Sequence, residues 1–194
     1  MNLPNALTVT RICLVPLLVV VLLTKFEGRQ ILGVPVELVG AGIFGLASLT
    51  DWADGYLARR RKQVTTLGQV IDPLADKLLT SAALISLVQM GLAPAWMVAV
   101  VIGREFAVTA LRSLTYARGV AIAASYLGKV KMVAQVVAIL ALILSRGQTR
   151  ELLWIGQAAL WVAVITAIAS AVDYFRRFNL FPRHDVVARD DRVA

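Results

Sequence analysis

Apolar residues fill six long stretches of this chain, at about 4–24, 36–59, 67–90, 93–117, 121–145 and 151–174. Each is close to the roughly 20 residues that carry a helix across a bilayer. Short breaker segments divide them: KFEGRQILGVP after the first, RRRKQVTT after the second, QMGLAP after the third and SRGQTRE after the fifth. The runs are too long and too uniformly apolar for half-buried strands. The pattern therefore predicts an all-α integral membrane bundle of six transmembrane helices over residues 1–180. The remaining FPRHDVVARDDRVA, residues 181–194, has mixed charge and no apolar stripe, which predicts a mobile cytoplasmic tail.

Composition agrees with this reading. Of 194 residues, 59% are hydrophobic and only 16% charged, against about 25% charged in an average soluble domain, so the soluble enzyme classes are largely excluded. Lys and Arg number 20 against 12 Asp and Glu, a formal charge of +8. No basic or aromatic recognition motif accompanies that excess, which argues against nucleic acid and for loops facing anionic membrane lipids. With a cytoplasmic N-terminus, the far-side loops carry Lys25, Arg29, Arg146 and Arg150. The 20 less those four leave 16 basic residues on the cytoplasmic side. The positive-inside rule thus puts both termini in the cytoplasm. MNLPNALTVTR has no basic segment ahead of its apolar run, so no removable signal peptide is expected. Trp96, Trp154 and Trp161 are candidate interfacial anchors, while Trp52 is expected to pack against a neighbouring helix.

The residue inventory also narrows the chemistry. Cys13 is the single cysteine and is expected to be core, and His184 is the single histidine and lies in the tail. Ser-His-Asp, Cys-His and multi-His metal sites are therefore excluded, leaving carboxylates, Lys, Arg or a metal.

Charges inside the spans carry the strongest signal, because each costs about 2.5–3.5 kcal/mol at mid-helix. Asp51, Asp54 and Arg59 end the second span, Asp72, Asp76 and Lys77 begin the third, Arg104, Glu105 and Arg112 occupy the later part of the fourth, and Lys129 and Lys131 open the fifth. Alternating topology puts all of them in the cytoplasmic half. Only the sixth span reads as an uninterrupted lipid-type helix, so the others are expected to share a polar cavity open to the cytosol. Snorkelling at helix ends accounts for Arg11, Lys25 and Arg176. Aspartates have no stem to snorkel with.

The stretch DWADGYLARRRKQVTTLGQVIDPLADK contains D-x-x-D-G-x-x-A-R, then eight residues, then G-x-x-x-D-x-x-x-D. Asp51 and Asp54 are i, i+3, and Asp72 and Asp76 are i, i+4, so each pair shares a helix face. Two antiparallel helices then bring four carboxylates to one place, where mutual repulsion demands cations. Oxygen-only ligation selects Mg²⁺ or Mn²⁺, and four carboxylates suit two ions. Gly55 and Gly68 permit close approach of a ligand or of the neighbouring helix, and Ala58 extends that small face. Arg59 offers a rigid fork to a phosphate or to an aspartate of the cluster.

These positions resemble the signature of the CDP-alcohol phosphotransferase family at every defined residue. The resemblance implies a homodimeric six-helix membrane enzyme that displaces CMP from a CDP-linked lipid or alcohol by an acceptor hydroxyl. It implies Asp51, Asp54 and Asp72 as metal ligands, and Asp76 as general base that also touches a metal. Asn5, Thr8, Gly55, Ala58, Arg59, Thr65 and Gly68 are implied as contacts to CDP-diacylglycerol. NLPNALTVTRICLVP, GREFAVTALRS and GKVKMVAQ extend the likeness to a bacterial branch of the family, with an inner-membrane location and sn-glycerol 3-phosphate as acceptor. Arg104, Arg112, Arg118, Lys129 and Lys131 supply positive charge that suits such a dianion. Arg118 also reads as a loop charge and Arg112 as a helix-end snorkel. Inositol phosphate and phosphatidylglycerol stand as rival acceptors. A cation-coupled transporter is disfavoured because no inverted repeat is visible.

Overall fold

The computed structural model describes the backbone of residues 3–24, 30–61, 66–117, 126–147 and 150–179, and the side chains within them apart from residues 3–9, 51–76, 114, 116–117 and 177–179. Six α-helices occupy the described residues: α1 (Leu3–Leu23), α2 (Val36–Arg61), α3 (Thr66–Gln89), α4 (Ala95–Ala117), α5 (Tyr126–Ser145) and α6 (Arg150–Asn179). Each corresponds to one predicted stretch, and α6 runs five residues further than expected. The mobile tail expected over residues 181–194 lies outside the described residues.

One element was not anticipated. Between α1 and α2, β1 (Gln30–Ile31) pairs antiparallel with β2 (Val34–Pro35), Gln30 opposite Pro35 and Ile31 opposite Val34. The turn between them is Leu32–Gly33, with φ of 52° and 80°. Two positive φ values in a two-residue loop suit the right-handed twist of a hairpin, and Gly33 adopts its value without strain. Leu32 does so at some cost and is fully exposed. At the other short connection, Gly91 (φ 73°) closes α3: Gly91 N–H donates to Val88 and Leu92 N–H to Leu87, satisfying carbonyls that the helix end leaves open. The Gln157 amide then donates to Leu92 C=O at 2.6 Å, which ties α6 to that turn.

The core is made by stripes along the helices. Leu18 and Leu22 of α1, Phe44 of α2, Leu79, Leu84 and Leu87 of α3, Met97 and Val101 of α4, Ile139 and Leu142 of α5, and Leu160 and Val164 of α6 are almost wholly buried together. α5 and α6 approach closely because α6 presents Gly156 there. A Cβ at that position would lie 2.7 Å from the Leu142 side chain and 3.1 Å from its backbone nitrogen. Small residues at such crossings let helix backbones come together.

Outside this core, all six helices expose large apolar side chains, among them Leu17, Leu46, Ile85, Phe106, Val133 and Ile165. By length and composition, α5 and the Arg150–Arg176 stretch of α6 are apolar enough to cross a membrane. The α5 stretch reaches that length only with Lys129 and Lys131 inside it, as expected of a span that charges interrupt near its start. Among the residues whose side chains are described, α1, α2 and α3 contribute the apolar stretches Thr10–Leu23, Val36–Thr50 and Lys77–Gln89.

Two expectations about α1 are corrected. Arg11 is only 4% exposed and so is no snorkelling end charge. It lies seven and eleven residues before Leu18 and Leu22, on the face that packs inward. Cys13, expected in the core, is exposed, because two residues from Arg11 is about 200° around the helix. Trp96, Trp154 and Trp161 are all on the outside, with the rings of Trp96 and Trp161 meeting edge to face at 5.5 Å.

Candidate functional site

Three of the core stripes change character along their length. On α4, Met97 and Val101 lead to Arg104, Glu105, Val108 and Arg112. On α5 the face of Ala138 and Leu142 continues, toward the helix start, as Gln135, Lys131 and Gly128. On α6, Ala163 and Ala167 lead to Ser170 and Tyr174. Where the stripes are apolar the helices fill the space between them. Where they become polar they enclose a cavity of about 270 Å³, lined also by Ser48 of α2 and Thr80 of α3.

A carboxylate and two cations form its wall. Arg104 donates from Nε and Nη2 to Ser170 Oγ at 3.2 and 2.7 Å, and from Nη1 to Glu105 Oε1 at 3.2 Å. The buried Lys131 ammonium donates to the same Glu105 oxygen. Glu105 is thus held between cations from two helices, and Arg104 is clamped by α6. An arginine has five N–H donors, so these three bonds leave Arg104 two more to offer. Arg112 lies with its guanidinium carbon 5.5 Å from the centre of the Tyr174 ring, a cation–π contact that fixes the head of an otherwise exposed side chain. Lys129 is exposed and makes no ion pair among the described residues. Four cations and one carboxylate therefore line the cavity, an excess of three positive charges. A small, partly open cavity with that imbalance attracts a polyanion.

The aspartate-bearing segments adjoin this cavity in register. Ser48 is three residues before Asp51, and Thr80 is four residues after Asp76, one helical turn in each case. The helical backbone of α2 and α3 preserves the i, i+3 and i, i+4 spacing of the two aspartate pairs.

Residues 1–169 match the model of a family described as CDP-alcohol phosphatidyltransferase. The chain belongs to this family. It is 48% identical over 182 residues to a CDP-diacylglycerol--glycerol-3-phosphate 3-phosphatidyltransferase of Bacillus subtilis, covering 91% of this chain and 94% of the relative. Proteins of the same name from Rickettsia bellii and Pectobacterium atrosepticum are each 35% identical, over 90% and 96% of this chain and 94% and 97% of theirs. The family assignment agrees with the resemblance carried by the D-x-x-D-G-x-x-A-R signature, and it makes the chain a phosphatidyltransferase of the CDP-alcohol type.

Of the site residues expected in this family member, Arg104, Arg112, Lys129 and Lys131 come together at one cavity. The side chains at Asn5, Thr8, Asp51, Asp54, Ala58, Arg59, Asp72 and Asp76, the glycines Gly55 and Gly68 among them, and all of Thr65 and Arg118 lie outside the described residues, as does Trp52. Reading Arg112 as a helix-end snorkel misses its contact with Tyr174. Sequence reasoning also overlooked Ser170, Tyr174 and Gln135. Their signal is positional: each continues a stripe of alanines or leucines at three- or four-residue spacing, so each must face inward.

Proposed function

We propose that this chain transfers the phosphatidyl group of CDP-diacylglycerol to sn-glycerol 3-phosphate, giving phosphatidylglycerophosphate and CMP. The observation that carries this reading is the juxtaposition of a cavity with three excess positive charges and two helices whose aspartate pairs lie one turn from its lining positions. The relatives' printed names describe the same donor and acceptor.

The donor set Asp51, Asp54, Asp72 and Asp76 is all oxygen, on helical backbone that gives each pair one face, and it fits hard divalent cations. These four residues would hold two Mg²⁺ or Mn²⁺ ions. Such ions, when bound, neutralise the pyrophosphate of the donor and stabilise the departing CMP. Asn5, Thr8, Gly55, Ala58, Arg59, Thr65 and Gly68 contact the CDP group. Asp76 takes the proton of the acceptor's primary hydroxyl as that oxygen attacks the phosphatidyl phosphorus, and the bond from phosphorus to the CMP oxygen breaks in line. Lys129, Arg112 and the two remaining donors of Arg104 hold the acceptor's phosphate, with Arg118 and Lys131 adding to the same field.

All six helices span the bacterial inner membrane as one domain over residues 1–180, with the 181–194 tail, both termini and the cavity facing the cytoplasm. Exposed apolar side chains on every helix support contact with lipid tails, and the bias of 16 basic residues to one side supports the orientation. The protein works as a homodimer among anionic lipids. The test is CMP release by the purified protein, expected to require CDP-diacylglycerol, sn-glycerol 3-phosphate and a divalent metal together. Equal release without any acceptor would overturn the transfer reading in favour of hydrolysis.

A further inference from the structure

The cavity contains one polar group that nothing in the charge pattern explains. Gln135 lines it from α5, one turn beyond Lys131, and is 4% exposed. Its Oε1 is sealed from solvent and accepts no hydrogen bond. A buried acceptor left unmade is costly, and such groups in folded proteins nearly always have a partner at some stage of function. The terminal torsion of a glutamine amide is broad, so the oxygen turns toward the cavity without disturbing the helix.

Its neighbours specify what that partner must be. Arg104, Arg112, Lys129 and Lys131 carry only N–H donors and cannot accept from a hydroxyl. Glu105 Oε1 is taken by both Arg104 and Lys131, which leaves Oε2 as the one carboxylate acceptor among the cavity-lining residues. Thr80 Oγ1 donates to the Lys77 carbonyl at 3.3 Å. An anionic ligand seated on the cations therefore finds donors in abundance but few acceptors, and the amide oxygen of Gln135 supplies one. It is also deeper than two of the phosphate-binding charges, since Arg112 and Lys129 are exposed whereas Gln135 is buried.

We propose that Gln135 reads a free hydroxyl on the carbon backbone of a phosphorylated polyol acceptor, accepting its hydrogen bond while the attacking hydroxyl is served elsewhere. On the acceptor proposed above, on which this assignment rests, that group is the secondary hydroxyl. Gln135 would then be a specificity residue that distinguishes a polyol phosphate from a simple alcohol phosphate.

The experiment compares sn-glycerol 3-phosphate with 3-hydroxypropyl phosphate, which keeps the phosphate and the primary hydroxyl and lacks only the secondary one. CMP release is followed with wild-type protein and with Gln135→Met, a swap of similar volume. Wild type should favour the polyol by about 10- to 100-fold in kcat/KM, the range expected when a buried hydrogen-bonding group is left without its partner. Gln135→Met should lose that factor with sn-glycerol 3-phosphate and stay within about threefold of wild type with the deoxy acceptor. Wild type using both acceptors within about threefold would overturn the assignment without any variant. An equal loss on both in Gln135→Met would also overturn it, by making Gln135 structural. Wild-type protein that uses neither acceptor, but does use an uncharged or lipid alcohol, would remove the acceptor reading itself and this assignment with it.

Discussion

Charged side chains are buried at both ends of this helix bundle, and the two ends treat them differently. At the end where α1 meets the start of α2, Glu37 is 6% exposed and pressed against Gly147, where a Cβ would come within 3.1 Å of its carboxylate. Arg146 donates to the Leu22 carbonyl at 3.1 Å, one of the acceptors that the end of α1 leaves without an intrahelical partner. The Glu37 carboxylate packs on a glycine, and the arginine completes a helix end. At the opposite end, Glu105 is held by two cations, but Arg112 and Lys129 add charge that no carboxylate among the cavity-lining residues offsets, and about 270 Å³ lies open beside them. Buried charge is thus a poor marker of function by itself. Uncompensated charge next to space is a better one.

Substitutions at the two ends should separate accordingly. The largest effect belongs to Asp51→Asn, Asp54→Asn or Asp72→Asn, each expected to abolish CMP release and weaken divalent-metal binding; full activity in any one would remove the shared metal site. Asp76→Asn should lower kcat by about 10²- to 10⁴-fold while CDP-diacylglycerol binding, measured directly, persists. Loss of nucleotide binding to the same degree would make Asp76 chiefly a ligand.

Next in size, Arg104→Ala and Lys129→Ala should each raise KM for sn-glycerol 3-phosphate by roughly 10- to 150-fold, the equivalent of about 1.5–3 kcal/mol, with KM for CDP-diacylglycerol little changed. The two differ in a second readout. Arg104→Ala leaves Ser170 without its donor and Glu105 with Lys131 alone, and should lower the thermal midpoint in detergent, whereas exposed Lys129→Ala should not. Lys62, between the aspartate-bearing helices, is the reference, and Lys62→Ala should move either KM by no more than severalfold. Smallest in activity is Gly147→Ala at the end away from the cavity, where the added methyl meets the Glu37 carboxylate at 3.1 Å. It should change stability by less than about 1 kcal/mol, because Gly147 is exposed and the contact is with the end of a flexible side chain, and leave both KM values within about twofold. A kinetic defect there as large as that of Lys129→Ala would erase the distinction between the ends.

Much of this was legible in the sequence, for reasons that also explain what was missed. Six helices follow from the length of the apolar runs alone, and their ends fall near the charged breakers. The hairpin escaped because two-residue strands are too short to show alternation, and Leu32–Gly33 is not a usual turn pair. At the site, Arg104, Glu105, Arg112, Lys129 and Lys131 stood out because a charge inside an apolar run is expensive. Ser170, Tyr174 and Gln135 did not, since neutral polar groups cost little in a helix and look like background until its inward face is known. The same blindness to facing placed Cys13 in the core and Arg11 at a surface. Their positions on α1 are separated by two residues, and only packing decides which of them turns inward.

The adjacency of Arg104 and Glu105 bears on how such a chain is made. On the six-span reading α4 enters the bilayer before α5 and α6 have been synthesised, so neither Lys131 nor Ser170 is yet there to receive its polar groups. The bond from Arg104 Nη1 to Glu105 Oε1 needs nothing from a later segment. The nascent helix therefore carries its own counter-ion and presents a neutral pair to the lipid, at a lower insertion cost than two separate charges. When α5 arrives, Lys131 meets a carboxylate already in position, and the pair gains its second cation only once the helix that brings it has been built.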